Sequence, residues 1–221
     1  MLGVLEGFAI ILTVIFIGYL LARFRVITSD DQRLVLNRVA FYAATPALIF
    51  MVVSQSSRDA LFSPVILVEA LTALVTSGIF VAVSQKFFPT DRASTVMGAA
   101  ATAYVNSNNI GLPVGMYVLG NAGYVAPLLV VQMTIFTPLV LALISDNNTT
   151  GSRARKVGGA IVSSLLSPIV VAAFLGLIIG VTGITIPKGI VEPIRILGGA
   201  SIPMILMSFG ASLTNARPLG D

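Results

Sequence analysis

Neither cysteine nor histidine occurs among the 221 residues, and these two absences remove most site chemistry at once. There is no disulfide framework, no zinc site of the usual kind, no Ser-His-Asp triad and no thiolate nucleophile. Charge is scarce as well. Lys and Arg number 13 and Asp and Glu 9, so 10% of the chain is charged while 56% is hydrophobic. With a mean hydropathy of +0.98, this composition is too apolar for a soluble domain of its size and implies a membrane protein. A pI near 9.8 would suit nucleic acid, but the basic residues stand singly along loops and do not cluster with aromatics. No nucleic-acid partner, cofactor or metal is expected, and no enzyme activity, because acid pairs and nucleophile-base sets are lacking.

What the chain has is long uncharged runs. Met1 to Leu21 begins without a basic n-region and lacks a small-residue cleavage site before Arg23, so it reads as a retained span. Runs near the 20 residues that cross a bilayer fall at roughly 4–21, 34–53, 63–85, 94–119, 123–144, 161–181 and 194–213. They predict seven transmembrane helices in an all-α polytopic membrane protein. The connections are short and rich in turn residues, as at Thr28-Ser29-Asp30-Asp31 and from Ser145 to Ser152, leaving no room for a soluble domain. Ten of the 13 basic residues, among them Arg23, Arg25, Arg33, Lys86 and Arg153, fall on the side that follows odd-numbered spans; only Arg58, Lys188 and Arg195 fall on the other. Cationic loops resist translocation, so the N-terminus is expected outside the cell membrane and the C-terminal end in the cytoplasm. The Asn147 sequon would then face the cytoplasm and go unglycosylated.

Two internal matches point to a repeat. Phe16-Ile17-Gly18-Tyr19-Leu20-Leu21 in the first span parallels Phe174-Leu175-Gly176-Leu177-Ile178-Ile179 in the sixth, at an offset of 158. Ala43-Ala44-Thr45-Pro46-Ala47-Leu48-Ile49 in the second parallels Ala200-Ser201-Ile202-Pro203-Met204-Ile205-Leu206 in the seventh, at an offset of 157. Five spans separate each pair, so the second copy would be inverted relative to the first. Residues 1–150 then form a five-helix repeat and 151–221 an incomplete second one. By this logic three helices are missing, and the chain is read as truncated.

The most informative stretch is Tyr104-Val105-Asn106-Ser107-Asn108-Asn109-Ile110-Gly111-Leu112-Pro113-Val114-Gly115, inside the fourth span. Four adjacent polar residues are expensive in hydrocarbon unless they line protein or water. Pro113 lacks an amide hydrogen, and Gly111 and Gly115 loosen the backbone, so the span is expected to break into two half-helices. The second half-helix is expected to start near Pro113 and to present backbone N–H groups near the midplane. An anion could dock there, held by Asn amides without a buried countercharge. The bland alternative is a proline-kinked helix whose Asn side chains bond its neighbours.

Asn106 with Gly111-Leu112-Pro113, the stretch Thr45-Pro46-Ala47-Leu48-Ile49-Phe50, and Phe209-Gly210-Ala211-Ser212-Leu213 together resemble the auxin efflux carrier family, and the short central loop at 145–160 resembles its bacterial members. The resemblance implies ten helices in two inverted five-helix repeats, with helices 4 and 9 broken and crossing. It further implies that Asn106 contacts a substrate carboxylate and that Gln132 lines the same pocket, with Ser107, Asn108, Asn109, Gly111, Pro113 and Pro46 forming the rest of the substrate site. Ser54 or Ser56 would match a pocket serine of the family.

Glu69 is the one acid well inside a span, about 9 Å along the third from its start. Acids within membranes usually face a cavity, and this one could take up a proton or cation during transport. Plant members resemble it in carrying an acid there, but their nearby lysine has no counterpart, since Ala73 occupies the next turn; a carboxylate snorkelling to the outer interface is the competing reading. Glu6 reads as interfacial, and Glu192 with Arg195 as a surface pair. The function expected is secondary transport of small organic anions such as carboxylates, malonate among them by resemblance. The alternatives are a non-transporting fragment of such a carrier and a seven-helix receptor, against which stands the lack of a lysine inside the seventh span. The expected partners are the anion and the lipid bilayer, with a homodimer left open.

Overall fold

The computed structural model describes residues 2–55, 64–88, 90–144, 159, 162–163 and 165–214, and every regular element among these is helical. Helix α1 (Leu2–Arg23) has 22 residues, about 33 Å at 1.5 Å per residue, enough to cross the hydrocarbon layer. Helices α2 (Asp30–Gln55) and α3 (Pro64–Phe87) follow. The fourth expected span is divided into α4 (Arg92–Ala103) and α5, in which a π turn (Ser107–Gly111) runs into Leu112–Tyr117. Helix α6 is built from Val125–Val131, Gln132–Phe136 and Thr137–Ile144. Helices α7 (Pro168–Thr182) and α8 (Lys188–Ser212) close the described chain. Among the described residues α1, α2, α3 and α8 are long and apolar enough to cross a membrane, while α7 is apolar but shorter. Ser56 and part of the connection expected before α7 lie outside the described residues.

Capping chemistry sets where the helices start. Ser29 caps α2 by accepting from Gln32 N at 3.3 Å, and the Gln32 side chain reaches back to accept from Thr28 N at 2.7 Å, a reciprocal arrangement that satisfies one first-turn donor and one just before the cap. Helix α2 therefore begins at Asp30, before the uncharged run proper. Asp91 caps α4 in the same way, accepting from Ser94 N at 3.1 Å. Its carboxyl is held below the usual range first by the Ser94 hydroxyl and then by the Ser94 amide.

Prolines shape the interiors. Three π turns, Ala40–Ala44, Ser107–Gly111 and Gln132–Phe136, are each followed by one residue and then a proline: Pro46, Pro113 and Pro138. A proline inside a helix removes its own N–H and crowds the carbonyl four residues back. Widening the preceding turn from an i−4 to an i−5 ladder relieves that crowding, and the bonds show it: Thr45 N donates to Ala40 O, Leu112 N to Ser107 O and Thr137 N to Gln132 O. The chain thus keeps these three prolines without ending its helices, at the cost of a wider helix at each of the three sites.

The tightest packing joins α1 to the second half of α8 and α7 to the second half of α2. Glycine permits it. A Cβ on Gly18 would run into the backbone of Met207, and one on Gly210 into that of Ile15; a Cβ on Gly176 would lie 2.8 Å from Phe50 O. Helix backbones approach this closely in membranes where small residues line the seam. At the middle of α2 and α8 the buried hydroxyls of Thr45 and Ser201 share a hydrogen bond of 2.8 Å. Around it lies the core, with Leu48, Ile49, Ile169, Ile202 and Leu206 joined by Ile11 from α1, Leu112 from α5 and Leu129 from α6. Phe8, Leu12 and Phe16 on α1, and Leu71, Val75 and Ile79 on α3, point outward and stay exposed, as side chains facing acyl tails do.

The two turns that lead into the long proline-bearing helices share a geometry. After α1 the chain passes through a left-handed residue at Arg25 (φ 60) and reaches the N-cap of α2 at Ser29. After α7 it passes through Gly183 (φ 68) and reaches the N-cap of α8 at Pro187. Both pairs keep the offset of 158 seen between Gly18 and Gly176.

Candidate functional site

Between Ala103 and Ser107 the helix stops. Tyr104 is extended (φ −88, ψ 96) and Asn106 also leaves helical geometry (φ −79, ψ 64). The expected break is therefore present, but the second half-helix begins at Ser107, six residues before Pro113. Pro113 is buried inside α5 and acts on the turn before it, opening the π turn, in place of starting the half-helix.

At the break, side chains take over backbone partners at two positions. In a continuous helix Asn109 N would donate to Val105 O. Here Asn109 N donates to Asn106 Oδ1 at 3.2 Å, and Val105 O accepts from Ser107 N at 2.8 Å and from Gln132 Nε2 on α6 at 3.0 Å. Gln132 is 1% exposed, so without this bond its own amide would stand unpaired where water does not reach, at about 1–3 kcal/mol. A second brace runs from Tyr104 Oη to Thr137 Oγ1 at 3.1 Å, and Thr137 Oγ1 in turn donates to Gln132 O at 3.0 Å. The π turn of α6 thus supports the unwound segment from one side.

On the other side lies a polar cavity of about 240 Å³, lined by Asn37, Ala40 and Phe41 of α2, Asn108 and Asn109 of α5, and Ile205 of α8. Three carboxamides converge on it. Asn108 Nδ2 donates to Asn109 Oδ1 at 3.3 Å, while Asn108 Oδ1 is buried without a hydrogen-bond partner, as is Ser107 Oγ next to it. Buried polar atoms are rarely left so. Carboxamide O and N are assigned from such networks, and a rotated Asn108 amide would present its N–H groups to the cavity. No formal charge lines this space, so an oxyanion there would meet amide donors and the N-terminal end of α5, whose dipole favours negative charge.

A larger cavity of about 450 Å³ opens between α3, α4 and α6, with Ser77, Gln85 and Tyr104 as the polar members of an otherwise aliphatic and aromatic lining. It offers a carboxylate neither cation nor backbone donors and is the poorer anion site.

The residues singled out from sequence divide accordingly. Asn108 and Asn109 line the amide cavity, and Ser107 is buried beside them. Asn106 is exposed and caps the half-helix. Gln132 braces the break. Gly111 and Gly115 make room for Val125, whose methyls would stand 3.2 and 3.0 Å from a Cβ at those positions. Pro46 is half-buried behind the π turn of α2 that carries Ala40 and Phe41. Ser54 lies near the end of α2, where its hydroxyl donates to Met51 O at 3.1 Å and its backbone meets Gly180. Glu69 is half-buried on α3 and does not line the amide cavity. Glu192 and Arg195 form the expected exposed pair, with Arg195 Nε donating to Glu192 Oε2 at 2.9 Å.

Asn37 escaped the sequence reading. It stands in the polar opening turns of α2 beside Arg38, where an amide looks like ordinary interfacial polarity. The signal that marks it is its place three residues before a π turn whose cause, Pro46, was already in view.

The family model described as "Membrane transport protein" matches residues 4–218; no curated protein matches the chain. That family's members are transporters and not enzymes, which sets aside the receptor reading and does not favour a non-transporting fragment. With its apolar helices, its broken fourth span and a match over nearly its whole length, the chain belongs to the membrane transport protein family of the auxin efflux carriers.

Proposed function

We propose that this multi-pass membrane protein is a secondary carrier of small organic anions, carboxylates above all, and that the amide cavity at the break between α4 and α5 is its substrate site. The observation that carries the reading is the convergence of Asn37, Asn108 and Asn109 on one polar cavity beside an unwound backbone braced from α6. Discontinuous helices place anions against half-helix N-termini in several transporter folds. At about 240 Å³ the space falls below the roughly 300–1,000 Å³ of drug-sized sites, which suits a small ion.

The architecture proposed with it is an inverted repeat, residues 1–150 belonging to one unit and 151–221 to a second. Support comes from reciprocal contacts. Gly18 meets Met207 as Gly176 meets Phe50, and Arg25 and Gly183 occupy the same left-handed turn position. Exchanging α1 with α7, and the second half of α2 with that of α8, maps each contact onto its partner. The basic loops favour a cell-membrane protein with its N-terminus outside. Transport then proceeds by rocking of the α3 to α6 side against the frame of α1, α2, α7 and α8.

The test is carboxylate flux into proteoliposomes. Hydrogen bonds to charged groups contribute about 1.5–3 kcal/mol each, so Asn108→Leu and Asn109→Leu are each expected to lower apparent affinity about tenfold or more with insertion unchanged. Wild-type flux in the double variant would remove the cavity from the transport path.

A further inference from the structure

A second polar cavity, of about 310 Å³, lies where the turn after α1 meets the end of α8, lined by Ala22, Arg25, Ile27, Thr28, Ser29 and Arg33 with Ala211 and Thr214. Carrier function leaves it unexplained, because it is separated in sequence and in lining residues from the amide cavity. It is the more basic of the two, with two guanidinium groups on its wall.

Its donors can be counted. Thr28 Oγ1 is committed to Gln32 Oε1 at 3.2 Å and Thr214 Oγ1 to Ala211 O at 2.8 Å. Ser29 Oγ accepts from Gln32 N at 3.3 Å, which leaves its own hydrogen to donate. Arg33 Nη1 is paired with Asp30 Oδ1 at 2.6 Å, yet its Nε is buried with no hydrogen-bond partner. Arg25 adds a second fork of N–H groups. Asp30 and the neighbouring Asp31 are the carboxylates of this turn, and Asp30 is occupied by Arg33. An unpaired guanidinium N–H beside a second arginine and a free hydroxyl is a donor set for a tetrahedral oxyanion.

The backbone gives an independent reason to look here. Arg25 holds φ 60, a left-handed conformation that is costly for any residue with a Cβ. The equivalent turn after α7 uses Gly183 at φ 68, the residue that adopts it without strain. Arginine therefore occupies a position whose geometry asks for glycine, and it carries its charge into the cavity wall. The turn joins two membrane-spanning helices, so it lies at the level of lipid headgroups.

We propose that Arg25, Arg33 and Ser29 form a site for a phosphate oxyanion, supplied by the headgroup of an anionic phospholipid or by free phosphate. The experiment uses the full chain in detergent, titrated separately with short-chain phosphatidylglycerol, short-chain phosphatidylcholine and sodium phosphate, and read by native mass spectrometry and thermal unfolding. Retention of phosphatidylglycerol over phosphatidylcholine by about tenfold assigns the site to lipid; equal protection by sodium phosphate alone assigns it to the free ion. Arg25→Gly and Arg33→Lys are each expected to abolish that preference. Arg25→Gly relaxes the turn, so it should melt no lower than wild type when no ligand is added, and its loss of binding cannot be laid to misfolding. Identical binding of either probe by wild type and both variants, or no binding of either probe, would overturn the proposal.

Discussion

The frame of α1, α2, α7 and α8 and the side formed by α4, α5 and α6 solve the same problem by opposite means. Both must hold helices together where water cannot help. In the frame, glycines at 18, 176 and 210 bring backbone against backbone, and one buried bond between Thr45 and Ser201 is the polar contact at its centre. On the crossover side the backbone is opened, and side-chain amides stand in for the missing ladder. Close packing has no graded response to a misfit, since dense interiors transmit strain. A hydrogen-bonded break can change partners one at a time. The molecule thus pairs a stiff body with a yielding one, and the yielding one carries the candidate site.

The comparison can be broken most forcefully in the frame. A side chain at Gly210 would overlap the backbone of Ile15, and overpacking of this kind costs about 1–3 kcal/mol or more. Gly210→Val is expected to give the largest loss, seen as failure to accumulate in the membrane or as a much lowered unfolding midpoint. Gln132→Leu should come next. It removes the side-chain tie from α6 to Val105 O, which keeps its bond from Ser107 N, at a cost of about 0.5–1.5 kcal/mol, and should reduce carboxylate flux more than it reduces stability. Equal losses in both measurements would make Gln132 a packing residue. Glu69→Gln sharpens the comparison further. If Glu69 takes up a proton in the cycle, uphill uptake driven by a pH gradient should fall while exchange at equal pH stays near wild type; unchanged uphill uptake would leave Glu69 an interfacial acid.

The smallest effect is expected at Asp91. Its carboxyl titrates below the usual range because Ser94 hydrogen-bonds the charged form. A depressed value in the folded state means that the contribution is fully present above the unfolded value and is lost as pH falls through the folded one. Protection of the Ser94 amide against exchange, taken relative to the intrinsic rate at each pH, should fall in acid as the Asp91 carboxyl takes up its proton, and Asp91→Ala should lower it across the pH range.

Much of this was legible in the residues. Uncharged runs gave the helices, and the density of Asn, Gly and Pro gave the break. Residues 106–109 were marked as its polar members, and the paired arginine and glutamate at 192 and 195 were read correctly as a surface pair. What escaped were consequences of backbone sterics at a distance. Pro113 was read as a starting signal, although a proline's clash falls on the carbonyl four residues earlier, so its mark is the π turn at Ser107–Gly111. Asn37 escaped because a polar residue in the opening turns of α2 carries by itself no mark of the cavity that it lines. The left-handed state of Arg25 was invisible for a different reason: arginine carries no signal for φ > 0, and only the parallel with Gly183 gives the position away.

The exchange at Val105 reaches beyond this one chain. Because the carbonyl released by the gap is shared between Ser107 N and a neighbour's carboxamide, residues 105, 107 and 132 form a single inherited unit across two elements. A homologue with an aliphatic residue at the place of Gln132 should therefore hold its gap to α6 more loosely, or have found another donor on the facing helix.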